Sequence, residues 1–203
     1  MPKQVDHEQR RRHIAEAVLR ITSRDGLEAV SLRDVAREAG VSMGSVQHYF
    51  KTKDDMLVFA LERVVDSARE RIRARLEPLL PPTSIRGMFR AIAVAGLPMD
   101  AESVEEARVI IAFDSRSHVN PRLAEINQRI YTEALASLTE QFQGIQEMGG
   151  IPADRDAALE AGTFLAVADG LRAAVVLGSM SKEDAARIAE YHVDSVFGPP
   201  EAE

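Results

Sequence analysis

The amide of Gln47 both donates and accepts hydrogen bonds, which matches the pair of groups adenine presents in the major groove of DNA. Beside it, His48 can donate to a guanine acceptor or to a phosphate, and Met43 offers an apolar contact. Gly44 has no side chain, so its backbone can approach base edges or a thymine methyl closely. Ser31, Ser42, Ser45, Thr52 and Lys53 suit phosphates through hydroxyls, helix amino-terminal N–H groups or charge. Ser42 reads equally well as a helix cap and nothing more.

These residues need two short helices and a tight turn to present them. Ser31 is placed to cap the first helix, with Asp34 in its first turn. Leu32, Val35, Ala36 and Ala39 recur at helical spacing on one side. Gly40 then stands where a helix ends with positive φ. Ser42 opens the second helix, whose Val46, Tyr49 and Phe50 turn inward. The 3.6-residue repeat leaves Met43, Gly44, Gln47 and His48 on the other side. The stretch 31–50 is therefore a helix-turn-helix, a form whose second helix enters the major groove.

The run from Ser31 to Asp54 also resembles the DNA-binding motif of the tetracycline-repressor (TetR) family of bacterial transcription regulators. A capped helix, Ala39-Gly40-Val41-Ser42, a short helix and the closing Tyr49-Phe50-Lys51-Thr52-Lys53-Asp54 occur together and in order. The resemblance implies phosphate contacts for Tyr49 and Lys53. It also implies an all-α fold of about nine helices: an amino-terminal three-helix DNA-binding domain, then a larger helical domain for ligand binding and dimerisation. The chain departs from many relatives at Gln47-His48, where an aromatic pair is common, and at Met43, where a polar residue is.

Charge is divided along the chain. The net charge is -7, yet residues 1–76 hold 15 Lys+Arg against 12 Asp+Glu, and the remainder holds 10 against 20. Phosphate attraction acts within a Debye length of about 8 Å at physiological salt, so a mildly basic head on an acidic body is compatible with DNA. No cysteine is present, which excludes disulfides and thiolate metal sites. The first 13 residues are polar, unlike a signal peptide, and the longest apolar stretch, Ala91 to Met99, is too short to span a bilayer. A cytoplasmic protein without membrane association is expected. The five histidines are dispersed, and no catalytic, metal or phosphate-loop motif stands out. Neither an enzyme nor a cofactor is expected.

A helix carrying Ile14, Ala17, Val18 and Ile21 should end near Asp25-Gly26, with Arg10–Arg12 at its start, either solvated or touching phosphate. A long helix over 54–77 follows the motif, and Arg69, Arg71, Arg73 and Arg75 read as a solvated, salt-bridged face. The proline-rich 78–84 is the natural boundary, giving a DNA-binding domain over 8–68 and a second domain over 78–198. In the second, helices are expected over Ile85–Ala95, from a capping box at Ser103–Glu106 through Phe113, from Asn120-Pro121 towards Gly149-Gly150, over 154–178, and from Ser181 onward. Asp114, Arg116 and His118 read as a solvated loop cluster, and Asp169 and Arg172 as an ion pair. The last two helices are apolar enough to need cover. The resemblance assigns them to a two-fold dimer through a four-helix bundle, the alternative being burial within one chain.

The resemblance further implies a small-molecule effector held among the middle helices. Candidates to line its site are Met88, Phe89, Ile92, Ile110, Phe113, Ile130, Tyr131, Phe164 and Ala168, each of which also suits ordinary core. The expected function is a homodimeric repressor, released from a palindromic operator by its effector. Two alternatives stand beside it: a helical ligand carrier or enzyme whose motif is structural only, and a DNA-binding regulator without an effector.

Overall fold

A computed structural model describes residues 2–79 and 84–197. Residues 80–83 of the expected proline-rich break, and the solvated tail expected from 198 on, lie outside the described residues. The described chain forms nine α-helices: α1 (Pro2–Asp25), α2 (Leu32–Glu38), α3 (Met43–Tyr49), α4 (Lys53–Leu76), α5 (Ile85–Ala95), α6 (Ala101–Ser117), α7 (Pro121–Glu147), α8 (Ala157–Val176) and α9 (Lys182–Phe197). Short 3-10 turns occupy Leu27–Ala29 and Glu77–Leu79, and there is no strand among the described residues. The all-helical expectation holds.

Local chemistry sets most of the boundaries. Ser31, Ser42, Ser84 and Ser181 each accept the N–H three residues on, at 3.0–3.2 Å, and Asn120 does the same for Leu123 at 3.2 Å. Gly26 (φ 83°) and Gly40 (φ 65°) take the left-handed backbone that ends α1 and α2. After Gly26, Leu27 is buried.

Three expectations are corrected. α1 begins at Pro2, so Arg10–Arg12 lie within it rather than at its start. Its first turns carry no apolar period, although Gln, Glu and Arg are good helix formers. The cap of α6 is Asp100 rather than Ser103. Asp100 accepts the Ser103 N–H at 2.8 Å and the Ser103 hydroxyl accepts the Asp100 N–H at 3.1 Å. The Ser103 hydroxyl's bond to Asp100 Oδ1 at 2.7 Å, and then the Ser103 N–H, hold the Asp100 carboxyl below its usual range. Serine thus supplies the reciprocal bond expected of a glutamate, and Glu106 instead takes the Ser67 hydroxyl at 2.8 Å. Lastly, Arg71 and Arg75 do not lie on a merely solvated face: both donate to Ala95 O, each at 3.2 Å, satisfying a carbonyl at the end of α5. Arg75 also pairs with Asp100.

Two compact units emerge. Among the described residues, the first comprises 2–68 and 105–128, the second 69–79, 84–104 and 129–197. α4, α6 and α7 each contribute residues to both.

In the first unit, Ile14, Val18 and Ile21 of α1, Val35 of α2, Val46 of α3, and Met56, Leu57 and Leu61 of α4 are all buried. Arg20 and Arg24 of α1 pair with Glu38 of α2, and His13 donates to Ala39 O at 2.8 Å. The α6–α7 corner is tied in by Arg116 to Glu28, Asn120 Nδ2 to Asp54 at 3.0 Å, and Arg122 to Asp55 at 2.7 Å. Asp114 accepts from Asn127 at 2.9 Å and His118 is exposed, so the polar cluster 114–118 forms no triad.

The second unit is built around four phenylalanines. Phe89 lies 5.0 Å from Phe142, 6.3 Å from Phe164 and 5.7 Å from Phe197 between ring centroids, separations at which aromatic pairs attract. Arg90 of α5 reaches Asp194 of α9 at 2.8 Å. Asp169 and Arg172 pair with each other at 2.7 Å, as expected. α8 buries Ala161, Phe164 and Leu171, while Leu159 at its start and Leu177 at its end remain 70% and 77% exposed.

Candidate nucleic-acid interface

α3 is seven residues long, and its two sides differ completely. Val46 and the capping Phe50 are fully buried. Met43 is 48% exposed, and Ser42, Gly44, Gln47 and His48 are exposed as well. Ser45, Tyr49 and Lys53 are half-buried, so Tyr49 does not turn inward as far as its spacing suggests. A Cβ on Gly44 would meet only Ser42 Oγ, at 3.9 Å. Nothing in the chain therefore demands glycine there.

The hydroxyls are not equally free. Ser31 accepts the Asp34 N–H and donates its own proton to Asp34 Oδ2 at 2.5 Å, so its hydroxyl has no proton left for a phosphate while that pair holds. Ser42 and Thr52 use only an acceptor lone pair in capping, towards Ser45 N at 3.1 Å and Asp55 N at 3.0 Å. The Ser42 proton remains available, whereas the Thr52 hydroxyl is also engaged with the Asp55 carboxylate. Asp55 accepts the Thr52 N–H in return at 3.0 Å; the Thr52 side chain first, and then Arg122, keep its carboxyl below the usual range.

Sequence reasoning missed the residue that braces this surface. Arg11 of α1 places its guanidinium 4.1 Å from the Phe59 ring centre and 5.2 Å from that of Phe50. It thereby joins α1, the end of α3 and α4. The only available signal was its spacing, since Arg11 stands three residues before buried Ile14, on the same face. Arg11→Ala should lower stability by about 1 kcal/mol in urea denaturation, the worth of a partly desolvated cation–π contact. Arg11→Lys should restore little of it, because an ammonium does not stack.

Of the nine residues expected to line an effector site, Ile110 and Phe113 belong to the first unit and the other seven to the second. Within the second, Met88, Phe89, Ile92 and Phe164 pack in one hydrophobic cluster. Phe89 and Phe113 are sealed in core, and Tyr131 is 47% exposed. Phe164 and Ala168 border a hollow of about 10 Å³, closed by Ala93, Leu97, Val167, Leu171, Ala189 and His192. A larger open groove of about 820 Å³ runs along the outer side of α9 past Asp184, Arg187, Ile188 and Tyr191, and none of the nine lines it.

In the sequence His192 is only one of five dispersed histidines, although it stands three residues from buried Ala189. Its Nε2 is buried without a hydrogen-bond partner. Burial lowers its pKa below 6.5, with nearby Glu160 acting weakly the other way. The unfolded chain thus takes up this proton first as pH falls. The resulting loss of stability begins near pH 6.5 and grows until the folded form is protonated too. His192→Phe should flatten the decline in urea midpoint between about pH 7 and pH 5 relative to the parent; an unchanged decline would show that this imidazole carries none of it.

Comparison with known proteins adds the family context. The family described as "Bacterial regulatory proteins, tetR family" matches residues 14–58, and "BetI-type transcriptional repressor, C-terminal" matches residues 81–198. The HTH-type transcriptional regulator PksA of Bacillus subtilis is 30% identical over 199 residues, covering 97% of this chain and 94% of that protein. The HTH-type transcriptional regulator BetI of Burkholderia cenocepacia is 31% identical over 203 residues, covering 96% and 97%. Among solved structures, a transcriptional regulator from Rhodococcus sp. Rha1 superposes with a TM-score of 0.78 at 31% identity, over 92% of this chain and 95% of that one. A protein from Saccharomonospora viridis in complex with choline gives 0.76 at 24% identity, over 93% and 95%.

Proposed function

Since the chain belongs to the TetR family of bacterial transcription regulators, with a BetI-type carboxyl-terminal part, we propose that it is a homodimeric repressor released from a palindromic operator by a small molecule. Family membership sets aside the reading as an enzyme or ligand carrier. The observation that carries the DNA contact is the two-sidedness of α3: Val46 and Phe50 are sealed, and Met43, Gly44, Gln47 and His48 are left outward. Gln47 reads adenine, His48 a guanine or phosphate, and Met43 packs on a base. Ser42, Ser45, Tyr49, Thr52 and Lys53 hold phosphates, and Ser31 serves chiefly as a cap. We assign DNA reading to 8–68, with the 31–50 motif as its core, and ligand binding and dimerisation to 78–198.

Two copies would pair through α8 and α9. Leu159, Leu177 and Tyr191 are each at least 70% exposed and Ile188 is 41% exposed, apolar side chains that a partner copy would cover. Half-sites would then fall about one helical turn apart or slightly more. No helix among the described residues is long and apolar enough to cross a membrane.

Effector control is supported by the division of α4, α6 and α7 between the two units. A ligand that favours one arrangement of the second unit acts on α7, whose cap Asn120 and whose Arg122 hold Asp54 and Asp55 at the start of α4. It would shift the population between DNA-competent and incompetent forms. The choline-bound structure illustrates that this fold admits a small molecule; at 24% identity it transfers the fold and not the ligand. Selection from a random duplex library should yield a palindromic, salt-sensitive site, with a footprint upstream of the protein's own gene. Failure to enrich any sequence would refute the operator reading, and a site bound equally with every candidate effector and with none would favour a regulator without one.

A further inference from the structure

The packing face of α1 runs through Val18, Ile14 and Arg11 to His7, residues separated by three or four positions, and its character changes along the way. Val18 and Ile14 are buried. Arg11, half-buried, lies over Phe50 and Phe59. One turn further out, His7 is exposed, and its ring meets Tyr49 edge-on at 4.8 Å between centroids. His48 stands 5.1 Å from Tyr49 and 6.4 Å from His7. The same helical face thus passes from apolar core to cation–π clamp to a hydrogen-bonding ring, at the point where it emerges beside the exposed side of α3. Residue 7 also lies before the stretch 14–58 that the family description matches.

Chemistry distinguishes this position from simple packing. An exposed ring bracing Tyr49 needs no nitrogen; a leucine or phenylalanine would serve. An imidazole adds an N–H donor beside the phenol of Tyr49 and the imidazole of His48, so three hydrogen-bonding heads gather in one patch of rings. Anionic oxygens are natural acceptors for such a patch, and phosphate contacts dominate how proteins are positioned on a duplex. We propose that His7 is a further DNA-contacting residue, its ring donating to a backbone phosphate next to Tyr49. The interface then includes His7 of α1 as well as the helix-turn-helix.

This inference rests on the DNA-binding reading, and the test separates the two. The full-length protein, His7→Phe and His7→Ala are titrated by fluorescence anisotropy against a duplex that the parent selects from a random library, and against an unrelated duplex. His7 is exposed, so both variants should keep the parent's helical signal and urea midpoint. Both are expected to bind roughly three- to tenfold more weakly, the worth of one hydrogen bond, and by the same factor on the two duplexes, because phosphate contacts carry no sequence information. Parent-like binding by His7→Phe would overturn the proposal, since the ring would then act by packing alone. So would a loss confined to the selected duplex. A parent that selects and binds no duplex would instead remove the regulator reading itself.

Discussion

Gln47→Ala combined with Tyr49→Ala is expected to weaken operator binding by about 2–4 kcal/mol, roughly 30- to 1000-fold, while leaving the protein folded. The larger share belongs to Gln47, because a bidentate amide–adenine pair carries about 1–3 kcal/mol of discrimination. Tyr49 contributes about 1 kcal/mol through phosphate. The two single variants should differ in kind. Gln47→Ala relaxes the sequence preference at one base pair of each half-site, and Tyr49→Ala weakens all duplexes alike. The fold should survive because α3 is held by Val46 and Phe50, which are fully buried and unchanged. An anisotropy titration of the double variant that matches the parent would refute the placement of α3 in the groove.

Leu177→Asp combined with Tyr191→Asp should convert the dimer to monomer and raise the dimer dissociation constant at least about 100-fold. In the single chain these side chains are 77% and 76% exposed, so the substitutions have little there to disrupt. At an interface each would bury an unpaired carboxylate, which costs far more than the apolar contact it replaces. The expected signature is therefore selective. Sedimentation analysis shows a monomer, operator affinity falls because only one head engages at a time, and helical content is unchanged. A dimer of parent strength would place the interface elsewhere on the molecule.

The helix-turn-helix was legible in the sequence because its determinants are local. Ser31, Ser42, Asn120 and Ser181 are caps by virtue of residues three positions away. α5 has the bounds its sequence implies, between a capping serine and Gly96-Leu97-Pro98. The outward side of α3 follows from the helical repeat alone. Where a local rule had two solutions a few residues apart, as at Asp100 and Ser103, the choice fell to whichever pair completed both bonds while Glu106 was drawn to Ser67.

What the sequence determined by itself was an all-α chain with a helix-turn-helix at 31–50 and two apolar closing helices. Tertiary structure alone decided that 105–128 joins the reading head through Glu28, Asp54 and Asp55, that Arg71 and Arg75 finish α5, that Arg11 is clasped by two phenylalanines, and that His7 stands against Tyr49. The physical reason is range. Periodicity and capping are fixed by interactions within about one helical turn, whereas the partner of a long polar side chain lies twenty to ninety residues away and is chosen only when the helices pack.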